Sequence, residues 1–309
     1  MKVSFVIPLY NCLELTKACV ASLRATLPRG LEHEILLVDD GSTDGTREWL
    51  QTLGPPFRAI LNERNTGYAA SNNRGARQAT GDILGLLNND LVLLPGWLPP
   101  ILRYFRFGRR TGLVGNVQLV PETGAVDHSA IVINTGAKPE HRTIPTGIEA
   151  FQSGRPVFAA TGACAFVRRK TFLELGGFDE EFLNGGEDID FCLRARAAGL
   201  RNWVAMRSRV IHHVSATPGR KDRDEQNSRR LAARWRKELV REGARTWCKR
   251  FIEENWIEPR DLEPRFAINS LLAAWIDEFE PPPTVLSRVD ASMRVEEKRW
   301  EALFGGTGA

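Results

Sequence analysis

The sequence predicts an α/β fold with a mostly parallel, Rossmann-like central sheet, helices flanking it, and a largely helical C-terminal extension. Three observations carry this expectation. Short apolar, β-branched runs alternate with helical stretches over residues 3–107, each run ends in a polar cluster, and from Pro218 the composition turns to dense Arg and Lys around an apolar stripe.

Val3-Ser4-Phe5-Val6-Ile7 is β-branched and aromatic and stops at Pro8, after which Asn11 is a candidate cap for a helix running to about Leu27. Residues 34–38 form a second buried run, closed by the turn-rich 39–46 and followed by a helix over 47–53. A third strand at 57–61 precedes an alanine-rich helix at 69–79 that carries Asn72 and Asn73. The apolar run 83–87 is too short for an ordinary helix; it ends in Asn88-Asn89-Asp90, then a Pro95-Gly96-Trp97 break and a helix over 98–107. Such βαβα alternation implies right-handed crossovers and parallel pairing.

Beyond Gly112 the character changes. Residues 113–120 and 129–134 look like strands about the turn Pro121-Glu122-Thr123-Gly124, so hairpin pairing is expected to replace crossovers. Residues 135–156, rich in Gly, Pro and Thr without a period, read as a long functional loop. A strand-like run at 157–167, interrupted at Thr161-Gly162-Ala163, precedes a short helix at 170–175 and the turn Gly176-Gly177-Phe178-Asp179. A helix then starts at Glu187-Asp188 and stops at Gly199, and a last strand over 203–211 ends at His212-His213. After Pro218, the residues Leu231, Trp235, Leu239 and, following a slip, Val240, Ala244, Trp247 and Phe251 keep helical spacing. The expected domains are therefore 1–217, itself halved at 112/113, and a mostly helical 218–309.

A 42% hydrophobic content supports a packed core. The net charge of +4 is too small to argue for nucleic acid, and no nucleic-acid module is recognisable. Cys12, Cys19, Cys164, Cys192 and Cys248 are scattered without metal-ligand or Cys-x-x-Cys spacing and read as reduced thiols in a cytoplasmic setting. The first apolar run breaks at Pro8 without a cleavage site, and no run reaches the ~18 residues of a spanning helix, so neither signal peptide nor membrane span is expected.

Four polar constellations stand at expected strand ends or helix starts: Pro8-Leu9-Tyr10-Asn11, Asp39-Asp40-Gly41-Ser42, Asn88-Asn89-Asp90 and Glu187-Asp188. In an open α/β sheet ligands collect beyond the carboxyl ends of the strands, and oxygen donors there suit a divalent cation and phosphate. Singly, each constellation is also an ordinary turn or an acidic helix start. As an ordered set, Val-Ile-Pro-Leu-Tyr-Asn, Leu-Val-Asp-Asp-Gly-Ser-Thr-Asp-Gly-Thr, Asn-x-Gly-Tyr-Ala-x-x-Asn-Asn-x-Gly, Leu-Asn-Asn-Asp, Gly-Gly-Phe-Asp-Glu-x-Phe and Gly-Glu-Asp-x-Asp-Phe-Cys-Leu-Arg resemble the family 2 glycosyltransferases of GT-A fold, in their rhamnosyltransferase-like branch. The resemblance spans about residues 2 to 216.

That resemblance implies an inverting glycosyltransferase of polysaccharide or glycoconjugate synthesis, with a UDP- or dTDP-sugar donor held by residues 1–112 and the acceptor by 113–217. Asp40 would accept from the N3–H of a uracil or thymine ring, an acceptor-only group that rejects cytosine. Pro8, Tyr10, Asn11 and Asn73 would complete the base pocket, and Asn89 and Asp90 would face the diphosphate. Asp90 and His212 would hold Mg²⁺ or Mn²⁺. The family's Asp-x-Asp is here Asn88-Asn89-Asp90, with one anion and a neutral Asn88 carbonyl, which predicts weak cation binding before the donor arrives. Asp188 would be the general base, Glu187 would orient acceptor or loop, and His128 would belong to the acceptor side. Two rivals remain: a nucleotidyltransferase, which would want a glycine-rich basic loop after the first strand, and a catalytically silent sugar-nucleotide or glycan-binding module. The basic stripe at 219–256 reads as a helix packed on the catalytic domain, a membrane-surface helix meeting lipid-linked acceptors at the inner face of the membrane, or a protein interface such as a homodimer.

Overall fold

A computed structural model describes residues 1–108, 110–143, 153–213, 223–257 and 263–305. Its first part alternates β1 (Val3–Leu9), α1 (Leu13–Thr26), β2 (His33–Asp39), α2 (Thr46–Gln51), β3 (Phe57–Leu61), α3 (Tyr68–Gln78) and β4 (Ile83–Leu87). These strands pair in parallel in the order β4-β1-β2-β3. At β1 the winding reverses, since β2 lies on one side and β4 on the other, and such a reversal opens a crevice at the carboxyl edge. Every residue of β4 is buried, which is why it reads as an unbroken apolar run rather than an alternating one.

The chain continues through β5 (Leu91–Leu93), α4 (Leu98–Phe107), β6 (Thr111–Leu119), β7 (Val126–His128), β8 (Ala130–Ile133), β9 (Pro139–Arg142), β10 (Arg155–Val157) and β11 (Cys164–Arg168). Then come α5 (Arg169–Glu174), α6 (Glu187–Ala197) and β12 (Arg201–His212). The full sheet runs β10-β12-β6-β11-β4-β1-β2-β3, with β5 on β12 and β7 on β6. β11 is antiparallel to both β4 and β6, so the sheet is parallel in its first half and mixed in its second. Phe5, Trp97 and Phe166 meet at its centre with ring centroids 5.7 to 6.3 Å apart, joining strands from both halves in one core. Each such buried ring contributes about 1.5–3 kcal/mol of hydrophobic stabilisation.

Four local expectations are revised. The hairpin partner of β6 is β7, not the strand at 129–134, whose residues form β8 and pair with β9 instead. β9 and β10 lie inside the stretch expected to be loop, of which residues 144–152 fall outside the described residues. Leu91–Leu93, hidden in sequence between Asp90 and Pro95, is a strand because β12 offers it an antiparallel edge. Asn11 does not cap α1: it takes a left-handed φ of 56°, its Oδ1 accepts from Thr43 N–H, and Asp44 Oδ2 receives the Leu13 N–H.

Two compact units emerge, Met1–Ile131 with His141–Arg223, and Val132–Glu140 with Asp224–Ala309. The second is built on α7 (Asp224–Ile257), α8 (Pro264–Trp275) and α9 (Pro283–Phe304). α7 is broken where Trp235 leaves helical geometry at φ −122°, ahead of the slip in the apolar stripe at Leu239-Val240. Leu231, Leu239, Ala244 and Cys248 of α7 are buried together with Ala273, Val289, Met293 and Trp300 of this unit. Arg236 bridges to Asp290 and Glu297, and Lys138 to Glu296. Residues 214–222, where the domain boundary was expected, fall outside the described residues.

Candidate active site

The pairing of Leu9 with Asp39 sets the carboxyl ends of β1 and β2 level, so Tyr10-Asn11 and Asp40-Gly41-Ser42 leave the sheet at one edge. Ser42 Oγ receives the Asn11 N–H at 2.8 Å and stitches the two loops together. Asp39, fully buried, receives Arg47 Nε–H at 2.7 Å and holds its own turn. Gly41 sits at φ +87°, where a Cβ would stand 2.9 Å from the Arg64 and Asn65 backbone, so the close approach of loop 62–67 requires glycine.

That loop engages the residue expected to read the base. Asp40 Oδ1 accepts from Asn62 Nδ2 at 2.6 Å and from the Thr66 hydroxyl at 2.7 Å. Its Oδ2 accepts from Gly67 N–H at 2.8 Å and shares the Thr66 N–H at 3.0 Å. A carboxylate offers about four lone-pair directions, so a ring N3–H could reach Asp40 only after Thr66 yields. Asn73 is likewise spent on the protein: Nδ2 donates to Phe178 O and Glu180 Oε1, and Oδ1 accepts from Phe178 N–H at 2.8 Å. It pins the Gly-Gly-Phe-Asp turn rather than facing a base. Asn89 turns away too, donating to Thr16 Oγ1 at 2.9 Å. Tyr10 is 40% exposed beside the half-buried Pro8, leaving an aromatic face open at the edge.

Asp90 is different. β5 brings its neighbour Leu91 opposite His212, and His213 N–H donates to Asp90 O at 3.1 Å, so the end of β12 lies against the Asn-Asn-Asp turn. His212 Nε2 stands 3.2 Å from Asp90 Oδ1, yet that oxygen, buried, has no aligned hydrogen-bond donor among the described residues. Asn88 Oδ1 is also buried without a partner among the described residues, with its Nδ2 3.5 Å from His212 Nε2. On its other side His212 Nδ1 lies 2.8 Å from Gln118 Oε1. Among the described residues no three His, Cys, Asp or Glu side chains gather as metal ligands. The residues nonetheless fit a divalent cation whose coordination is completed by phosphate and water: adjacent ligands of an octahedral ion with bonds of about 2.1 Å stand about 3 Å apart. Asn88, rather than Asn89, is the asparagine that joins this group.

Glu187 and Asp188 begin α6, as expected. Asp188 Oδ2 accepts from Gly162 N–H at 2.7 Å and Oδ1 from Ile189 N–H at 2.8 Å, both favouring the ionised form. Glu187 Oε2 accepts from Gly185 N–H at 2.8 Å. The interruption Thr161-Gly162-Ala163 works as a connector: Gly162 carries Asp188, and Ala163 O receives the Asn88 N–H at 2.8 Å. Tyr68 closes the same turn by donating its hydroxyl to Gly162 O at 2.8 Å. Burial, and then the Glu187 and Asp188 carboxylates, push the Tyr68 phenol upward, which keeps it a donor. His128 is buried in β7 opposite Gln118, with Nδ1 2.6 Å from His141 Nδ1. Burial, then His141 and His212, push His128 down to about 3.

Gln118, Gly162 and Tyr68 were not expected as site residues. Gln118 left a signal: Asn116 and Gln118 are two polar residues at a spacing of two inside an apolar strand, which marks a polar face.

At the carboxyl edge of the reversing sheet stand a buried carboxylate–imidazole pair, Asp90 and His212, and at the start of α6 a second carboxylate, Asp188. The model of glycosyl transferase family 2 matches residues 4–176, over half of the sequence, and the chain belongs to that family. A second model, glycosyl transferase family group 2, matches residues 141–251 and takes in Glu187, Asp188 and His212. The chain is 34% identical over 226 residues to an O-antigen biosynthesis protein, RfbC, of Myxococcus xanthus, spanning 70% of this chain but 18% of that protein. It is 29% identical over 218 residues to an N-acetylglucosaminyl-diphospho-decaprenol L-rhamnosyltransferase of Mycobacterium tuberculosis, covering 60% of this chain and 68% of the relative. The solved structure of GalNAc-T7 with UDP, GalNAc and Mn²⁺ shares the fold at a TM-score of 0.62 and 18% identity, over 86% of this chain and 54% of that one.

Proposed function

We propose that the chain is an inverting glycosyltransferase that moves a sugar from a UDP- or dTDP-sugar to an acceptor hydroxyl, with Mg²⁺ or Mn²⁺, in polysaccharide or glycoconjugate assembly. The observation that carries this is the pair Asp90 Oδ1 and His212 Nε2, 3.2 Å apart at the carboxyl edge of the sheet, with no aligned hydrogen bond to that oxygen among the described residues. Asp90, His212 and the Asn88 carbonyl would hold the cation. When bound, the cation supplies positive charge that stabilises the departing nucleoside diphosphate. Asp188, kept ionised by two backbone donors, takes the proton of the attacking hydroxyl, and Glu187 shapes the loop beside it. The exposed Tyr10 ring offers a stacking face for the base, with Asp40 setting the depth of the pocket through loop 62–67.

The catalytic domain in this reading is 1–217, and 218–309 is an extension. UDP and Mn²⁺ in the GalNAc-T7 title support the donor class and the cation, and the lipid-linked sugar in the mycobacterial relative's name supports a glycan or lipid-linked acceptor. Such an acceptor would be met from the cytoplasm at the inner membrane face, with the chain held there peripherally and α7–α9 available for a homodimer. No helix among the described residues is long and apolar enough to cross a membrane. The test is release of nucleoside diphosphate from a panel of UDP-, dTDP- and GDP-sugars, with and without Mn²⁺ and acceptors. Acceptor-dependent UDP or dTDP release supports the reading, and release confined to GDP-sugars, or none with any pairing, overturns it.

A further inference from the structure

Gln118 is 2% exposed and sits at the carboxyl end of β6, with β7 on one side through His128 and β12 on the other through Val210. Its Oε1 lies 2.8 Å from His212 Nδ1. With the amide oriented as it stands, Oε1 accepts and His212 Nδ1 carries the hydrogen, which leaves a lone pair on Nε2 of the singly protonated ring. Asp90 Oδ1, 3.2 Å from Nε2 without hydrogen-bond alignment, and Gln118 Nε2 are buried polar atoms that this arrangement leaves unpaired among the described residues. Asn88 Nδ2, a donor, is the amide atom that faces Nε2, at 3.5 Å, where an Nε2–H would oppose it.

We infer that Gln118 is a positioning residue that holds His212 in the Nδ1–H tautomer and so aims the Nε2 lone pair, beside Asp90, at a divalent cation. This rests on the reading of Asp90 and His212 as cation ligands. Oriented hydrogen bonds to the far nitrogen of a ligating histidine fix its tautomer and raise its basicity. With one carboxylate where a second aspartate is absent, the cation depends on His212, and His212 depends on an acceptor that no loop movement can withdraw because it is carried by a central strand.

The experiment has two readouts, neither of them turnover. In histidine-¹⁵N-labelled protein without metal, with the His212 signal assigned by its loss in His212→Ala, the ring should show Nδ1 protonated at neutral pH; Nε2 protonated overturns the inference. In titrations of Mn²⁺ in the presence of UDP, Gln118→Met, which keeps the volume and removes the acceptor, should weaken Mn²⁺ binding about 10- to 100-fold. Gln118→Glu, which keeps an acceptor, should retain it. Unchanged Mn²⁺ affinity in a folded Gln118→Met overturns the inference, and if that variant does not fold, the wild-type tautomer decides. His212→Ala and Asp90→Asn in the same titration test the underlying reading separately. If both bind Mn²⁺ as the wild type does, the cation assignment fails whatever Gln118 shows.

Discussion

Asp40 and Asp90 occupy the same edge of the same sheet, each a buried carboxylate just after a parallel strand, and their surroundings are opposite. Asp40 is surrounded by donors from Asn62, Thr66 and Gly67, whereas Asp90 Oδ1 has no aligned hydrogen bond among the described residues, only His212 Nε2 at 3.2 Å. A buried polar atom left unpaired costs about 1–3 kcal/mol, and the one at Asp90 stands at the carboxyl edge of the sheet, where ligands collect. A saturated carboxylate builds the fold, and an unsaturated one waits.

The sharpest way to break this contrast starts with Asp188, a carboxylate that is both held and reactive. Asp188→Asn should lower kcat about 10³-fold, roughly 4 kcal/mol, while donor affinity measured by calorimetry stays near wild type. Retained turnover would remove Asp188 as the base. Next, Asp40→Asn turns an NH₂ toward buried donors and should cost about 3 kcal/mol in urea unfolding. A loss of donor affinity with no loss of stability would instead return Asp40 to direct base contact.

The third test concerns pH. His128, ordinarily near 6.5, is pushed down to about 3 by burial. Between those values the unfolded chain binds a proton that the folded chain does not, so stability is full above pH 6.5 and falls as pH drops below it. By pH 5 the loss should approach about 2 kcal/mol. His128→Gln should flatten that dependence between pH 7 and 5, and an unchanged slope would mean that His128 is not the group responsible. The smallest expected change is the most telling: Asp90→Asn should leave stability within about 0.5 kcal/mol or raise it, since it removes an unmet buried oxygen, yet lower Mn²⁺ affinity by more than the about tenfold loss typical of a supporting partner. Destabilisation as large as that of Asp40→Asn would erase the distinction between the two aspartates.

The placement of Asp90 and Asp188 was legible because it follows from local rules. Apolar runs of strand length ending in polar residues put their tails at the carboxyl edge, and acidic pairs before a helical pattern mark an N-terminus. Asn73 and Asn89 misled for the complementary reason: a side chain's position in a motif does not say which way it turns, and both turn into protein contacts with residues 105 and 73 positions away in sequence. β5 escaped notice because three residues form a strand only when another edge is waiting. The amino-acid sequence by itself determined the alternating elements, the crevice at their ends and the family, since periodicity and turn chemistry are local. Tertiary structure alone decided that Asn88 rather than Asn89 faces His212, that Gln118 stands behind it, and that Asp40 is already satisfied, because hydrogen bonds are directional and their partners are set by packing between distant strands.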